Sequence, residues 1–349
     1  VTTPIKVLER YTVRSAVRMP RMLGERLFGA PPTNDLGVPL DYQTHMMLSL
    51  ADYVGQPQLH ELGTEGARAE YERTNLMCNL PVCKLREIED RRIDGPHGQI
   101  PVRIYRPSHA PGLPACVYYH GGGFVIGGLD GYDGLCSALA ERGRCVVISV
   151  DYRLAPEHPF PAPIDDSLAA YRWVRDHADD LGIDAERIAV AGDSAGGNLA
   201  TVVCQQLVEA GEEPPAYQLL IYPTTDQIGE YASHRHFGEG FLLTGAMMDW
   251  FTRTYLSGYS DLDDPRVSPL RFDRLDKLPP TRVITAGFDP LRDEGIAYAE
   301  RLADAGVTTV HRSFDRLIHS FITMGGLLDS AGHAVADIAH GLRDALHRA

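Results

Sequence analysis

The chain has 349 residues, 44% of them hydrophobic and 23% charged, with a formal net charge of −14. These are the proportions of a globular protein with enough chain for a large core, and the negative balance, with no Lys/Arg-rich run to offset it, argues against binding nucleic acid or an anionic membrane. No stretch of 18 apolar residues is free of charge, so stable membrane insertion is not expected.

The first residues lack a continuous apolar core and a small-residue cleavage site, and no Asn-x-Ser/Thr sequon occurs, so a cytoplasmic location is expected. Cys78, Cys83, Cys116, Cys136, Cys145 and Cys204 have neither disulfide-scaffold density nor paired zinc spacing, and read as reduced, mostly buried thiols. Residues 1–85 read as helical and rich in charge, with Met46, Leu48, Leu50, Leu62 and Tyr71 spread among polar residues rather than gathered in β-branched runs. Near Lys84 the texture changes. REIEDRRI and IPVRIYRP flank the turn-like DGPHGQ and predict a β-hairpin. Short apolar runs follow at 115–120, 144–150, 187–192, 217–222, 281–286 and 307–314, with helical patterns at 132–142, 163–179, 195–210, 292–305 and 330–348. Strands alternating with helices predict an α/β fold with a mostly parallel sheet covered on both faces. The last strand, VTTVHRSF, offers an edge through which a homodimer could pair.

The loop after the first of these parallel strands is HGGGF (120–124). Successive glycines lose much backbone entropy on folding, so the run implies unusual dihedrals or close approach to a ligand. Here the N–H groups of Gly122 and Gly123 can converge with that of Ala195 on the oxygen of a tetrahedral intermediate. His120 is read as ordering this loop, and Phe124 as shaping a pocket.

GDSAGGN (192–198) joins the strand RIAVA to a helix pattern, the setting of a G-x-S-x-G elbow. Such a turn exposes Ser194 beside a helix N-terminus, with small residues at Gly192 and Gly196 to clear the crossing backbone. Beyond IYPTTD (221–226) the next strand waits until Thr281, too long a gap for a plain βα connection. The interval, with the helix-like TGAMMDWFTRTYL (244–256), reads as an inserted lobe that joins residues 1–85 in a cap. Phe241, Met247 and Trp250 are its candidates for the substrate pocket, ordinary helix packing being the alternative.

Serine needs a base to accept its proton, and the base needs a partner to hold its tautomer. Asp289 follows the strand TRVITA, and His319 in RLIHSF follows the next strand, which places both at the sheet end that carries Ser194. Asp293 and Glu294 are rival carboxylates but are read as solvated acids of a helix's first turn. The His234-x-His236 pair lacks a third ligand motif, and no metal is expected.

HGGGF, VDYRLAPEHPFPAPIDDSLAAYRWV (150–174), GDSAGGNLA, DPLRDEG and IHSF together resemble the hormone-sensitive-lipase-like branch of the α/β hydrolases, the bacterial HGGG/GDSAGG carboxylesterases. The resemblance runs through roughly 84–325 and implies an α/β-hydrolase fold with an eight-stranded sheet. It implies Ser194, His319 and Asp289 as catalytic triad, Gly122, Gly123 and Ala195 as oxyanion hole, no cofactor, and short- to medium-chain acyl esters as small-molecule substrates. Residues 1–85 then supply part of a helical cap and 86–349 the catalytic domain, with 226–270 as an insertion contributing to the cap. Asp193 and Glu157 are given loop-ordering roles. Ser320 stands where many relatives have glycine. An amide or peptide hydrolase, and a ligand-binding relative without activity, remain as alternatives, although the intact His319 argues against the second. Arg10, Arg14, Arg18 and Arg21 at helical spacing raise a membrane-surface lipase, with a solvated cap face as the plainer account.

Overall fold

The computed structural model describes residues 12–347; Arg10, with the rest of residues 1–11, and Arg348 lie outside them. One sheet holds β1 (Glu87–Gly95), β2 (Gly98–Arg106), β3 (Leu113–Tyr119), β4 (Val146–Val150), β5 (Ile183–Asp193), β6 (Tyr217–Ile221), β7 (Thr281–Phe288) and β8 (Thr309–Ile318). Their spatial order is β1-β2-β4-β3-β5-β6-β7-β8. The hairpin strand β2 runs antiparallel to both β1 and β4, and every pairing from β4 to β8 is parallel.

Around the sheet lie α1 (Arg21–Phe28), α2 (Tyr42–Tyr53), α3 (Gly63–Cys78), α4 (Asp133–Gly143), α5 (Ala162–Asp176), α6 (Ala195–Ala210), α7 (Ala232–Phe237), α8 (Gly245–Leu256), α9 (Arg292–Asp304) and α10 (Asp329–Leu346). Side chains alternate across a strand, and the core divides accordingly. Val117, Tyr119, Ile148, Val190 and Val283 join the residues of α5, α6 and α9 in one cluster, whereas Cys116, Tyr118, Val147, Ala191 and Ile284 join those of α4 and α10 in the other. Burial on both faces is why the parallel strands read as unbroken apolar runs.

Two strand ends depart from the expected spans. β5 begins at Ile183, beside Leu113 of β3, so the strand includes the polar stretch Asp184–Arg187. A register shift lets Phe288 pair with Ile318, which carries β8 past Phe314 to the residue before His319. No disulfide joins any of the six cysteines, and all but the half-buried Cys83 are buried. No helix among the described residues is long and apolar enough to cross a membrane.

The N-terminal segment is tied to the sheet end that carries His319. Asn34 Nδ2 donates to the Asp315 carbonyl, the Asp41 N–H donates to the Arg316 carbonyl, and Arg292 makes a two-pronged ion pair with Asp35 at 2.6 and 2.7 Å. From α3, Arg68 donates to the carbonyls of Val125 and Ala155 and clasps Glu157. That guanidinium holds the Glu157 carboxyl down at about 2, and Arg68 joins α3 both to Val125, just beyond HGGGF, and to the 155–157 segment.

Candidate active site

Ser194 sits between β5 and α6 with φ 55° and ψ −119°, a conformation L-residues rarely adopt. The turn closes only because its neighbours are glycines. A Cβ on Gly196 would lie 1.9 Å from the Tyr119 carbonyl oxygen, and one on Gly192 would lie 2.2 Å from the Gly196 oxygen. The Ser194 N–H is held by the Ile221 carbonyl of β6 at 2.8 Å, while its hydroxyl lies 3.0 Å from Nε2 of His319.

β7 and β8 bring the other two residues to the same end. Asp289 directly follows β7 and is fully buried, and its Oδ2 lies 2.7 Å from Nδ1 of His319. Its Oδ1 accepts the Leu291 N–H at 2.8 Å, which fixes the plane of the carboxylate. With Nδ1 donating to the carboxylate, Nε2 presents its lone pair to the serine hydroxyl. The Tyr222 ring packs 4.6 Å from the imidazole and limits its rotation.

Beside this chain of hydrogen bonds lies the glycine loop. Gly122 has φ 119° and Gly123 φ 59°, and a Cβ on Gly122 would lie 2.2 Å from the Ile126 carbonyl oxygen. The loop's carbonyls are engaged away from the donors: the Gly122 oxygen accepts from Val125 and Ile126 N–H, and the Phe124 oxygen from Ala155 N–H. His120 is buried, stacks on Tyr152 at 4.3 Å and bonds the Gly121 carbonyl through Nδ1; burial lowers its pKa to about 4. It is neutral and out of reach of solvent, as a loop-ordering residue should be.

A cavity of about 620 Å³ opens above Ser194 and His319. Gly122, Gly123 and Ala195 line it, as do Phe124, Phe241 and Met247. Trp250 does not, which corrects the expectation for that residue. At 100° per residue, the lining residues Met247, Phe251, Tyr255, Met248, Thr252 and Leu256 spread over one half of α8, and Trp250 lies outside that arc, about 60° beyond Met247. Leu48 and Tyr71 from the N-terminal helices complete the wall. The described lining residues include no Lys or Arg.

A family model described as the alpha/beta hydrolase fold matches residues 116–323. The chain belongs to the α/β-hydrolase family. Among similar α/β hydrolases, the carboxylic ester hydrolase LipN of Mycobacterium tuberculosis is 44% identical over 269 residues, 75% of this chain and 71% of the relative. The ethyl acetate hydrolase of Pseudomonas putida is 38% identical over 297 residues, 82% of this chain and 92% of the relative. The solved ester hydrolase EH1AB1 from the metagenome of Lake Arreo superposes with a TM-score of 0.85 at 45% identity, covering 87% of this chain and 98% of that one.

In this α/β hydrolase, the rival acids have other partners. Asp293 accepts from the Ser233 N–H, and Glu294 accepts the N–H of Thr225 at 2.7 Å and faces His234 Nε2 at 3.2 Å. Glu294 is buried, not solvated as its position in a helix's first turn suggests, because the inserted lobe folds over it. His234 is paired there, His236 lies 3.8 Å from Asp35, and no group of three metal-ligating side chains occurs among the described residues.

Asp193, next to the serine, is buried beneath the glycine loop. It accepts from Tyr118 Oη at 2.7 Å, Gly121 N–H at 2.9 Å and Tyr132 Oη at 3.1 Å. Burial outweighs these three bonds and raises its pKa from 3.8 to about 6. A carboxyl whose folded pKa is raised stabilises the fold below pH 4 and loses that contribution as pH climbs through about 6. The displacement is worth about 3 kcal/mol. Urea unfolding of Asp193→Asn against the native protein should therefore show the difference in stability moving toward the variant by about this amount between pH 4 and pH 7. A difference that does not change with pH contradicts the assignment.

Proposed function

We propose that this chain is a serine carboxylesterase that hydrolyses short- to medium-chain acyl esters through an acyl-enzyme on Ser194. The observation that carries the reading is the continuous hydrogen-bonded series from Asp289 through His319 to Ser194, which ends in an apolar-walled cavity beside the glycine loop.

The chemistry follows from the geometry. Ser194 Oγ attacks the ester carbonyl carbon while His319 Nε2 takes its proton, and Asp289 stabilises the resulting imidazolium. The carbonyl oxygen gains a negative charge and accepts hydrogen bonds from the N–H groups of Gly122, Gly123 and Ala195. The tetrahedral intermediate collapses, the C–O bond to the alcohol breaks, and the imidazolium returns its proton to the leaving oxygen. Water then enters the alcohol's place, loses a proton to Nε2 and attacks the acyl carbon. Collapse of this second intermediate releases the acid and restores the serine. The N-terminal helices and the 226–270 insertion serve as a cap that shapes the acyl pocket. A volume near 620 Å³ is that of a small-molecule site.

Initial rates on p-nitrophenyl esters from acetate to palmitate test the reading. Turnover should peak at short or medium chains and fall steeply for palmitate. A folded protein without turnover on any ester contradicts it.

A further inference from the structure

Two consecutive residues of the glycine loop are each covered by a side chain of α8. A Cβ on Gly123 would lie 2.2 Å from both Cγ and Cδ1 of Phe251, so the bare glycine backbone rests directly against that ring. The next residue, Phe124, is buried with φ 63°, and its ring stacks on Tyr255 at 3.8 Å with 14° between planes. Phe251 and Tyr255 are four residues apart and so share one helical face. The helix is itself held from both sides. Phe251 and Leu59 of the N-terminal segment both pack against the cluster of Leu243, Met247 and Leu291, the last of these lying two residues past Asp289, while the Tyr255 carbonyl accepts the Phe160 N–H at 2.9 Å.

From this we infer that Phe251 and Tyr255 are positioning residues for the oxyanion hole, acting through Gly123 and Phe124. The inference rests on the esterase reading above. Neither backbone conformation is one the loop would hold unaided: a phenylalanine at positive φ is strained, and a glycine is free to leave. The two rings supply the constraint from outside, so α8 is a wall of the catalytic apparatus. Lifting it to admit substrate would unlock the donors. Phe251 over Gly123 also excludes water from the place where the negative charge develops, and donors fixed in a dry site stabilise that charge most.

A positioning role and a pocket-wall role leave different kinetic signatures. A wall residue contributes to ground-state binding of the acyl chain, so truncation raises KM, more for longer chains. Oxyanion donors act in the transition state, so misplacing them lowers kcat at any chain length. The experiment measures kcat and KM for p-nitrophenyl acetate and octanoate with the native protein, Phe251→Ala, Phe251→Leu, Tyr255→Ala and Tyr255→Phe, with thermal unfolding of each. Removing one such donor costs about 100- to 1000-fold, and displacing it should cost about 10- to 100-fold in kcat. The expected result is a loss of that size on both esters in Phe251→Ala and in Tyr255→Ala, at near-native KM. Phe251→Leu, which keeps an apolar body over Gly123, and Tyr255→Phe, which keeps the stack, should each recover most of it. If Phe251→Ala fails to fold, Tyr255→Ala decides through Phe124. Unchanged kcat with a KM that rises with chain length overturns the inference and leaves the esterase reading standing. An inert native protein overturns both.

Discussion

Ser194→Ala should lower kcat on p-nitrophenyl butyrate by about a million-fold, and His319→Ala should do the same. The two groups act as a unit: without the hydroxyl there is no nucleophile, and without Nε2 the hydroxyl keeps its proton. Combining the substitutions should therefore cost little more than either alone. Folding should survive Ser194→Ala, whereas His319→Ala takes a hydrogen-bond partner from the buried Asp289 carboxylate and should lower the melting temperature. Among the described residues the Ser194 side chain bonds only His319, and the strained elbow is imposed by Gly192, Gly196 and the Ile221 carbonyl. No measurable turnover is expected from either purified variant, with a near-native melting temperature for Ser194→Ala. A rate within tenfold of native in Ser194→Ala would mean that another group attacks.

Asp289→Asn should lower kcat by about 10,000-fold with little change in KM. The carboxylate accepts twice, from His319 Nδ1 and from the Leu291 N–H. An asparagine has one accepting oxygen. If that oxygen stays with Leu291, the amide NH₂ faces Nδ1 and forces the proton onto Nε2, the tautomer that cannot take a proton from Ser194. If it turns toward His319, its NH₂ confronts the Leu291 N–H in a fully buried site, so stability falls instead. Steady-state kinetics with thermal unfolding separates the two. A variant with native kcat would remove Asp289 from the site.

What could be read from the amino-acid order was chemistry that depends on neighbours along the chain. Ser194 is marked by the glycines its turn requires, and Asp289 and His319 by following strands whose burial on both faces leaves unbroken apolar runs. Strand ends were harder where polar residues continue the strand: Asp184 and Arg187 conceal the start of β5, and Asp315 and Arg316 the end of β8. Trp250 shows that hydrophobicity does not reveal direction, since it shares a helix with Met247 but lies about 60° round from it, just off the lining half of α8. The spacing from Met247 to Phe251 to Tyr255 was the signal that would have found the right face. Glu294 and Arg68 have partners far away in sequence, at Thr225, His234, Val125 and Glu157, and only the folded chain brings these together.

The decisive measurement is reaction of the native protein with a p-nitrophenyl alkylphosphonate, followed by release of p-nitrophenol and mass spectrometry of the digested product. One equivalent of p-nitrophenol should be released as activity disappears, with the phosphonyl group on the peptide containing Ser194 and none on Ser194→Ala. Label on any other residue, or full inactivation with Ser194 unmodified, would contradict the mechanism.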